Sequence, residues 1–391
     1  MTDGGPTTTA NASEGSTDGR VLVPTRPVTY VFANDPAVDG GGSRVRAERL
    51  VQGLSASGAP ARLAVVAMPS RLARRSRQVR ACLRGVPPTF GRMAPGDLRE
   101  VLDECKSRGE LVVAGTLWCS VAMTAAQRAE SVLDAHNVEA TVMDQLRKEA
   151  GIGRLRRALY GLSIRWMARF ERSVARQHRA VWAVSAADGR WFAEAGAART
   201  AVVPNGCDLP PAPASPSQGR YLLFVGSLDA EFNRAGVRWF TESCLPIVRS
   251  SVPDAELVVV GRGDGIGGPG VSVAGYVERL DTVYEGARAA IVPLLAGGGT
   301  RLKVPEALAW GVPCISTRLG AAGHDLAEGD GVLLADTPEA FAAACVRLLE
   351  DGEVADRLGA AGRATAVERL SWASSAERAL RSLSTLGAED G

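Results

Sequence analysis

At 391 residues the chain is too long for one ordinary hydrophobic core, and this length predicts two domains. The 45 Lys and Arg residues against 43 Asp and Glu residues give a formal net charge of +2, which argues against nucleic acid as a partner bound through overall charge. Three histidines and seven scattered cysteines form neither a C-x-x-C pair nor a zinc-ligand spacing, so we expect no metal site and reduced thiols in a cytoplasmic protein.

The sequence predicts neither a signal peptide nor a membrane-spanning segment. Residues 1–25 are mostly small and polar and predict a disordered tail rather than a signal peptide. No window approaches 18 uninterrupted apolar residues, so no membrane span is expected. Basic stretches at 71–84 and 154–179 place cations at helical spacing, which fits a solvated face or a peripheral contact with anionic lipid headgroups.

Apolar, strand-like runs alternate with helical patterns through the remaining chain. The first half contains PVTYVFA, ARLAVVAMP, ELVVAG, ESVLDAH and RAVWAVS, and the second contains RYLLFVGS, AELVVVG, GVSVAGY, AAIVPLL, VPCISTR and GVLLA. This alternation predicts parallel sheets covered by helices. The proline-rich stretch 203–216 marks a linker between the two halves. We therefore predict an α/β protein with two doubly wound, Rossmann-like domains and a ligand cleft at the carboxyl ends of both sheets.

The stretch GGGTRLKVPEALAWG, at 297–311, combines a glycine loop, two cations and a short apolar helix with one carboxylate. Glycines let a backbone approach a ligand closely, and the first turn of a helix offers unpaired N–H groups to an anion. Pro305 fits a helix that starts near Lys303, because a proline in the first turn removes only an unpaired amide. Glu306 would pair with a cation or accept hydrogen bonds from neutral hydroxyls. A nucleoside diphosphate offers phosphates to the cations and a ribose diol to Glu306, whereas the alternative is a plain glycine turn before a surface helix.

Three further motifs lie at predicted strand ends. GRGDGIGG, at 261–268, contains a G-x-G-x-x-G pattern, but the β-prone VSVAGY follows it instead of a helix, which argues against a dinucleotide site. DGGGSRVR, at 39–46, opens a helix and could contact the same diphosphate, although such a loop is more often a tight turn. The polar cluster DAHNVE places His136 just past a strand, in a position better suited to a cleft than to a core.

Taken in order, these blocks resemble retaining glycosyltransferases of the GT-B fold, specifically glycosyltransferase family 4. The resemblance covers most of the chain after residue 26 and includes GGGSRVRAERL, DAHNVE, WAVSAADGRWF, VVPNGCD, FVGSLD, GYVERL and GGGTRLKVPEALAWGVPCISTRLGAAG. It implies an acceptor-binding domain at 26–210, a nucleotide-sugar-binding domain at 211–369, and a last helix within 370–391 that crosses back to the first domain.

The resemblance also implies roles for first-domain residues. Gly41 and Gly42 would approach the donor diphosphate or the acceptor, and Arg46 occupies the basic position of that loop. His136 matches the family histidine near the 6-hydroxyl of the transferred sugar and the reacting centre.

In the second domain the resemblance implies a nucleotide-sugar site. Gly299 and Thr300 would donate hydrogen bonds to the diphosphate, Arg301 and Lys303 would be its cations, and Glu306 would accept the two ribose hydroxyls. No separate cofactor is implied, because the nucleoside-diphosphate sugar is itself the donor substrate, and the absence of a D-x-D motif gives no reason to expect a divalent metal.

The sequence also departs from the family pattern. Many members carry a second glutamate where this chain has Gly298, and many carry an arginine where it has Ser227, with only Arg234 as a nearby cation. We expect an enzyme that transfers a sugar to a hydroxyl of a small molecule, a glycan or a lipid-linked acceptor, in the cytoplasm or at the inner face of the membrane. The alternatives are a catalytically silent or accessory GT-B protein and a nucleotide-sugar epimerase or hydrolase.

Overall fold

The computed structural model describes residues 24, 26–34, 42–67, 86–87, 95–149, 154–296 and 302–387, and these residues form two parallel sheets of six strands each. The first sheet has the order β2-β1-β3-β4-β5-β6. Its strands are β1 (Val28–Asn34), β2 (Ala61–Ala67), β3 (Leu111–Ala114), β4 (Ser131–Ala135), β5 (Ala180–Ala183) and β6 (Thr200–Val202). All five residues of β4 are buried, as expected for a parallel strand covered on both faces.

Helices flank this first sheet. They are α1 (Gly42–Ala56), α2 (Pro95–Ser107), α3 (Leu117–Ala122), α4 (Ala125–Ala129), α5 (Glu139–Glu149), α6 (Arg154–Ala175) and α7 (Ala186–Glu194). Each of the five strand-like runs predicted in this half contains a strand. The short edge strand β6 was not predicted, because its three residues are exposed or half-buried and carry no apolar run.

The second sheet has the order β12-β11-β10-β7-β8-β9. Its strands are β7 (Tyr221–Val225), β8 (Leu257–Val260), β9 (Val271–Gly275), β10 (Ala287–Val292), β11 (Cys314–Ser316) and β12 (Val332–Leu334). Its helical elements are α8 (Glu231–Trp239), α9 (Leu245–Ser251), α10 (Asp281–Glu285), α11 (Lys303–Ala309), α12 (Pro338–Glu350), α13 (Gly352–Thr365), a 3-10 turn (Pro216–Gln218) and two π-helical turns (Phe240–Cys244 and Ala366–Leu370). This strand order is that of the doubly wound dinucleotide-binding folds.

The last helix, α14 (Trp372–Gly387), packs on the first sheet's domain rather than the second. Its contact with α1 is tight, since a Cβ added to Gly53 would lie 2.4 Å from the Cβ of Ala376. Leu380, Leu383 and Leu386 of α14 join the first-domain core. The chain therefore crosses between the domains twice, once after β6 and once before α14.

The two crossings contact each other. The Cys207 amide donates to the Leu370 carbonyl at 2.8 Å, and the Trp372 amide donates to the Cys207 carbonyl at 3.3 Å. Gly206 permits this approach, because a Cβ there would lie only 2.4 Å from the Trp372 nitrogen. The paired segments form the connection between the two domains.

Candidate donor and acceptor site

The described elements that flank each glycine-rich stretch include a strand at which the strand order of its sheet reverses. In the first sheet the reversal falls between β1 and β3, and residues 35–41 follow β1. In the second it falls between β7 and β10, and residues 297–301 lie between β10 and α11. Open α/β sheets bind ligands beyond the carboxyl ends of their strands at such points. The topology thus selects the same two loops that the sequence selects.

In the first domain, His136 follows directly after β4 and is only 13% exposed. Its Nδ1 lies 3.2 Å from the Ser43 hydroxyl at the start of α1, and its Nε2 lies 3.6 Å from the Asp134 carboxylate. The Tyr30 hydroxyl of β1 donates to Asp134 at 2.5 Å and lies 3.4 Å from His136 Nε2. The imidazole is therefore fixed on both ring nitrogens at the carboxyl ends of β1 and β4.

Arg46 has a different role from the ligand contact that the sequence predicted. Its side chain is 1% exposed, and all five of its N–H groups donate within the protein. Two go to the Asp134 carboxylate at 2.7 and 2.9 Å, and the others reach the Val203 and Pro204 carbonyls and the Asn205 side chain at 2.8 to 3.1 Å. Helix α1 starts at Gly42, so Arg46 lies inside the helix and points into the domain instead of extending from a loop.

Arg46 and Asp134 form a buried ion pair whose pKa values move apart. Burial alone would raise the pKa of Asp134, but the charge of Arg46 and the contact with His136 hold it well below its usual range. Burial likewise opposes the charge of Arg46, and the attraction of Asp134 outweighs it and raises the pKa of the guanidinium. Burial and the neighbouring carboxylate raise the pKa of Tyr30. Asp134 therefore stays anionic and Tyr30 stays a hydrogen-bond donor beside His136.

In the second domain, Lys303 begins α11, as its sequence position predicted. Its ammonium lies 5.4 Å from the centre of the Phe224 ring, at the carboxyl end of β7. A Cβ on Gly226 would lie 2.5 Å from this nitrogen, so glycine at that position leaves room for the lysine. The cation is thus held over the end of β7, one of the two strands at the reversal of the second sheet.

Glu306 lies one turn further along α11 and near the interdomain linker. Burial raises the pKa of Glu306, the charge of Lys303 opposes this shift, and Asp208 of the linker adds to it. Asp208 in turn accepts a hydrogen bond from Arg49 of α1 at 2.7 Å. The linker therefore passes between the first helix of one domain and the carboxylate predicted to receive the ribose.

Four of the predicted site residues, Gly41, Gly299, Thr300 and Arg301, lie outside the described residues, and their predicted contacts with a diphosphate stay predictions. Gly42 is the first residue of α1. His136 and Lys303 lie at strand ends, one in each domain, and Glu306 lies beside Lys303. No group of three His, Cys, Asp or Glu side chains in the described ranges could hold a metal ion, so the need for a metal is left to assay.

Two residues of α8, Asn233 and Arg234, bond to the loop after β7, where the family pattern has an arginine in place of Ser227. The Arg234 guanidinium donates to the Leu228 carbonyl at 2.9 Å, so it supports this loop. Asn233, 3% exposed, donates through its amide to the Ser227 carbonyl at 2.7 Å. Its Oδ1 has no hydrogen-bond partner among the described residues. No sequence pattern singles out this asparagine, because its surroundings depend on the position of Gly226 and Lys303.

Two other functional candidates were missed by the sequence. Asp134 belongs to the DAHNVE cluster, where only His136 was selected, and its position two residues earlier, within the predicted strand, could have indicated it. Glu171 is a fully buried carboxylate on α6 that accepts the amides of Glu139 and Ala140, at the start of α5, at 2.7 and 2.9 Å. A single acidic residue within the basic stretch 154–179 was its only signal.

Comparison with known proteins identifies the fold and a family model that matches part of the second domain. Residues 219–351 match the model of the family "Glycosyl transferases group 1". Sucrose-phosphate synthase from Thermosynechococcus elongatus superposes with a TM-score of 0.63 at 17% identity, covering 93% of this chain and all of that one. The chain has the GT-B fold. An Anabaena protein solved in complex with UDP shares the fold at a TM-score of 0.60 and 15% identity, over 92% of this chain and 100% of that chain.

Curated relatives of this GT-B protein include two phosphatidyl-myo-inositol mannosyltransferases. The protein from Mycolicibacterium smegmatis is 31% identical over 209 residues, which cover 49% of this chain and 53% of the relative. The protein from Mycobacterium tuberculosis is 29% identical over 226 residues, which cover 52% and 59%. The chain thus spans about half the length of the curated relatives it matches. Within the described part of the chain, no helix has the length and apolar character needed to span a bilayer.

Proposed function

We propose that this GT-B protein is a retaining glycosyltransferase that moves a sugar from a nucleoside-diphosphate sugar to a hydroxyl acceptor. The observation that carries the proposal is the placement of Lys303 over the end of β7, with Glu306 one turn away on the same helix. A cation beside a carboxylate at the carboxyl ends of parallel strands suits a ligand that carries both phosphates and a ribose diol.

In the proposed reaction, the bond between the anomeric carbon and the β-phosphate oxygen breaks as the acceptor oxygen attacks from the same face. Negative charge grows on the β-phosphate, and Lys303 together with Arg301 would stabilise it. The departing phosphate takes the acceptor proton. His136, fixed by Ser43 and Asp134, would contact the sugar at the reacting centre. Closure of the domains about the linker would exclude water from the cleft.

We propose a lipid-linked or other glycan acceptor bound by the first domain. Two curated relatives carry the name phosphatidyl-myo-inositol mannosyltransferase, which favours an acceptor with a lipid anchor and a peripheral contact with the cytoplasmic membrane face. Of the basic stretches considered for that contact, 71–84 lies outside the described residues, and 154–175 falls on α6.

The first test is a thermal-shift titration with UDP, GDP, ADP and dTDP on the wild type and Glu306→Ala. A nucleotide at 100 times its dissociation constant adds about 2.7 kcal/mol to the stability of the folded chain. We expect one nucleotide to raise the melting temperature of the wild type, and the rise to shrink in Glu306→Ala. If that nucleotide is UDP, GDP or ADP, its 2′-deoxy form should bind the wild type more weakly but lose less affinity in the variant, because Glu306 then accepts a hydrogen bond from only one hydroxyl.

Activity and stereochemistry are tested next with the donor that this titration identifies. Proton NMR of the product distinguishes retention from inversion at the anomeric carbon, and a parallel reaction with EDTA tests the proposed independence from metal. An inverted product would refute the retaining mechanism. Nucleotide binding without transfer to any acceptor would favour the catalytically silent alternative, for which Gly298 in place of a family glutamate gives a specific reason. Release of a free, altered sugar without an acceptor would favour an epimerase or hydrolase.

A further inference from the structure

The buried guanidinium of Arg46 bonds to two regions of the chain. On one side it holds the Asp134 carboxylate, which in turn faces His136. On the other it holds three consecutive residues of the first crossing between the domains, Val203, Pro204 and Asn205. Three of its five N–H groups donate to the crossing, and two donate to the end of the strand that precedes His136.

The crossing segment is also held from the second domain's side. Cys207, two residues after Asn205, pairs with Leu370 and Trp372 of the return crossing, and Gly206 lies against the Trp372 backbone. A rotation of the second domain would therefore act on the backbone at 206–207. Arg46 is bonded to the residues immediately before it, so the same rotation would reach its Pro204 and Asn205 acceptors, whereas the Val203 amide is held by the Ala183 carbonyl of β5 at 2.8 Å.

We propose that Arg46 is a positioning residue that couples the interdomain connection to His136. A planar guanidinium with five donors in fixed directions cannot follow the linker carbonyls without also turning the Asp134 carboxylate. Asp134 lies within 3.6 Å of His136 Nε2 and accepts the Tyr30 hydroxyl, so its orientation sets the place of the imidazole. Domain closure and the placement of His136 are then one concerted change.

This proposal rests on the proposed function for its catalytic meaning, but its first test does not need activity. The chain has three histidines, so imidazole NMR signals can be followed one by one, and His136→Gln assigns the signal of interest. Asn205→Ala removes a single bond to Arg46, at 3.0 Å, and leaves the ion pair with Asp134 intact. Arg46→Lys keeps the charge but offers three donors from one nitrogen in place of five in a planar fork.

We expect Asn205→Ala and Arg46→Lys to shift the His136 signal while the signals of His178 and His324 stay in place. Arg49→Ala is the matched control, because Arg49 also lies on α1 and also reaches the linker, through an exposed pair with Asp208. It should leave the His136 signal unchanged. Arg46→Ala is avoided, since it would leave the buried Asp134 carboxylate without its partner and unfold the domain.

A second measurement follows the coupling in the opposite direction. Addition of the nucleotide that closes the domains should move the His136 signal in the wild type. In Arg46→Lys this shift should be at most half as large, while the nucleotide affinity stays within about threefold of the wild type. A lower melting temperature without any change in the His136 signal would show that Arg46 only stabilises the fold, and would overturn the proposal. Failure of every nucleotide to bind would count against the proposed function and leave the Asn205→Ala comparison as the deciding result.

Discussion

The buried carboxylate of Glu171 predicts an unusual dependence of stability on pH. It lies in the first-domain core and accepts two backbone amides at the start of α5, three residues after His136. Burial raises the pKa of Glu171 to about 8, the two amides oppose this shift, and the carboxylates of Glu139 and Asp188 add to it. The unfolded chain returns the group to an ordinary glutamate pKa of about 4.5.

The sign of the effect follows from proton binding. Between pH 4.5 and 8 the folded chain holds a proton on Glu171 that the unfolded chain has lost. The contribution of this proton to the free energy of unfolding is therefore fully present below pH 4.5 and is lost as the pH rises towards 8. The free energy of unfolding falls by about 1.4 kcal/mol per pH unit in this range, and the loss over the whole interval is on the order of 5 kcal/mol. His178 acts in the opposite sense at lower pH, because burial lowers its pKa from 6.5 to about 3.

The experiment compares the wild type with Glu171→Gln by urea unfolding followed through tryptophan fluorescence, from pH 5 to pH 8.5. Taking the difference between the two proteins removes the contribution of His178 and other common groups. We expect the free energy of unfolding of the wild type, relative to that of the variant, to fall steadily as the pH rises. Glu194→Gln, at the exposed end of α7, gives the baseline for a surface glutamate.

A difference that stayed constant across this range, or that grew in favour of the wild type at higher pH, would refute the reasoning. Either result would mean that the two amide hydrogen bonds stabilise the carboxylate more than burial destabilises it. Glu171 would then be an anionic cap on the segment that follows His136.

Three further predictions concern the site and the connection between the domains. Lys303→Ala should lower kcat by about 10²- to 10³-fold if the ammonium stabilises the leaving phosphate, whereas Arg381→Ala, on the exposed side of α14, should leave kcat within about twofold; equal losses would remove Lys303 from the chemistry. Gly206→Ala should destabilise the chain by about 1–3 kcal/mol in thermal unfolding, because the new Cβ would meet the Trp372 nitrogen at 2.4 Å; Gly267→Ala, with no neighbour within 4 Å, is its control, and similar melting temperatures would show that the crossings can separate without cost. Tyr30→Phe should cost about 1–2 kcal/mol in denaturant unfolding, since the buried Asp134 loses a donor at 2.5 Å, and an unchanged midpoint would show that another group replaces the hydroxyl.

The sequence by itself determined the fold class, two α/β units with parallel sheets. Local patterns carry this information: apolar runs of strand length alternate with helical periodicity, and the glycine loops follow strands in the chain. All eleven predicted runs contain strands, and α11 begins at Lys303 as the proline at position 305 implied. The two parallel sheets follow from the same patterns, because each α/β unit forms from neighbouring residues. The GT-B fold was implied by the resemblance of the motifs to a known family.

Only the tertiary structure decided what Arg46, Asp134 and Glu171 do. Arg46 and Asp134 are 88 positions apart in the chain, and Arg46 and the Pro204 carbonyl are 158 apart. A sequence motif records which residues occur near a loop but not which way a helical side chain points once the helix has packed. The packing of α1 against the sheet and α14 directs the Arg46 side chain into the domain. A residue that was predicted to bind a ligand therefore bonds instead to the connection between the two domains.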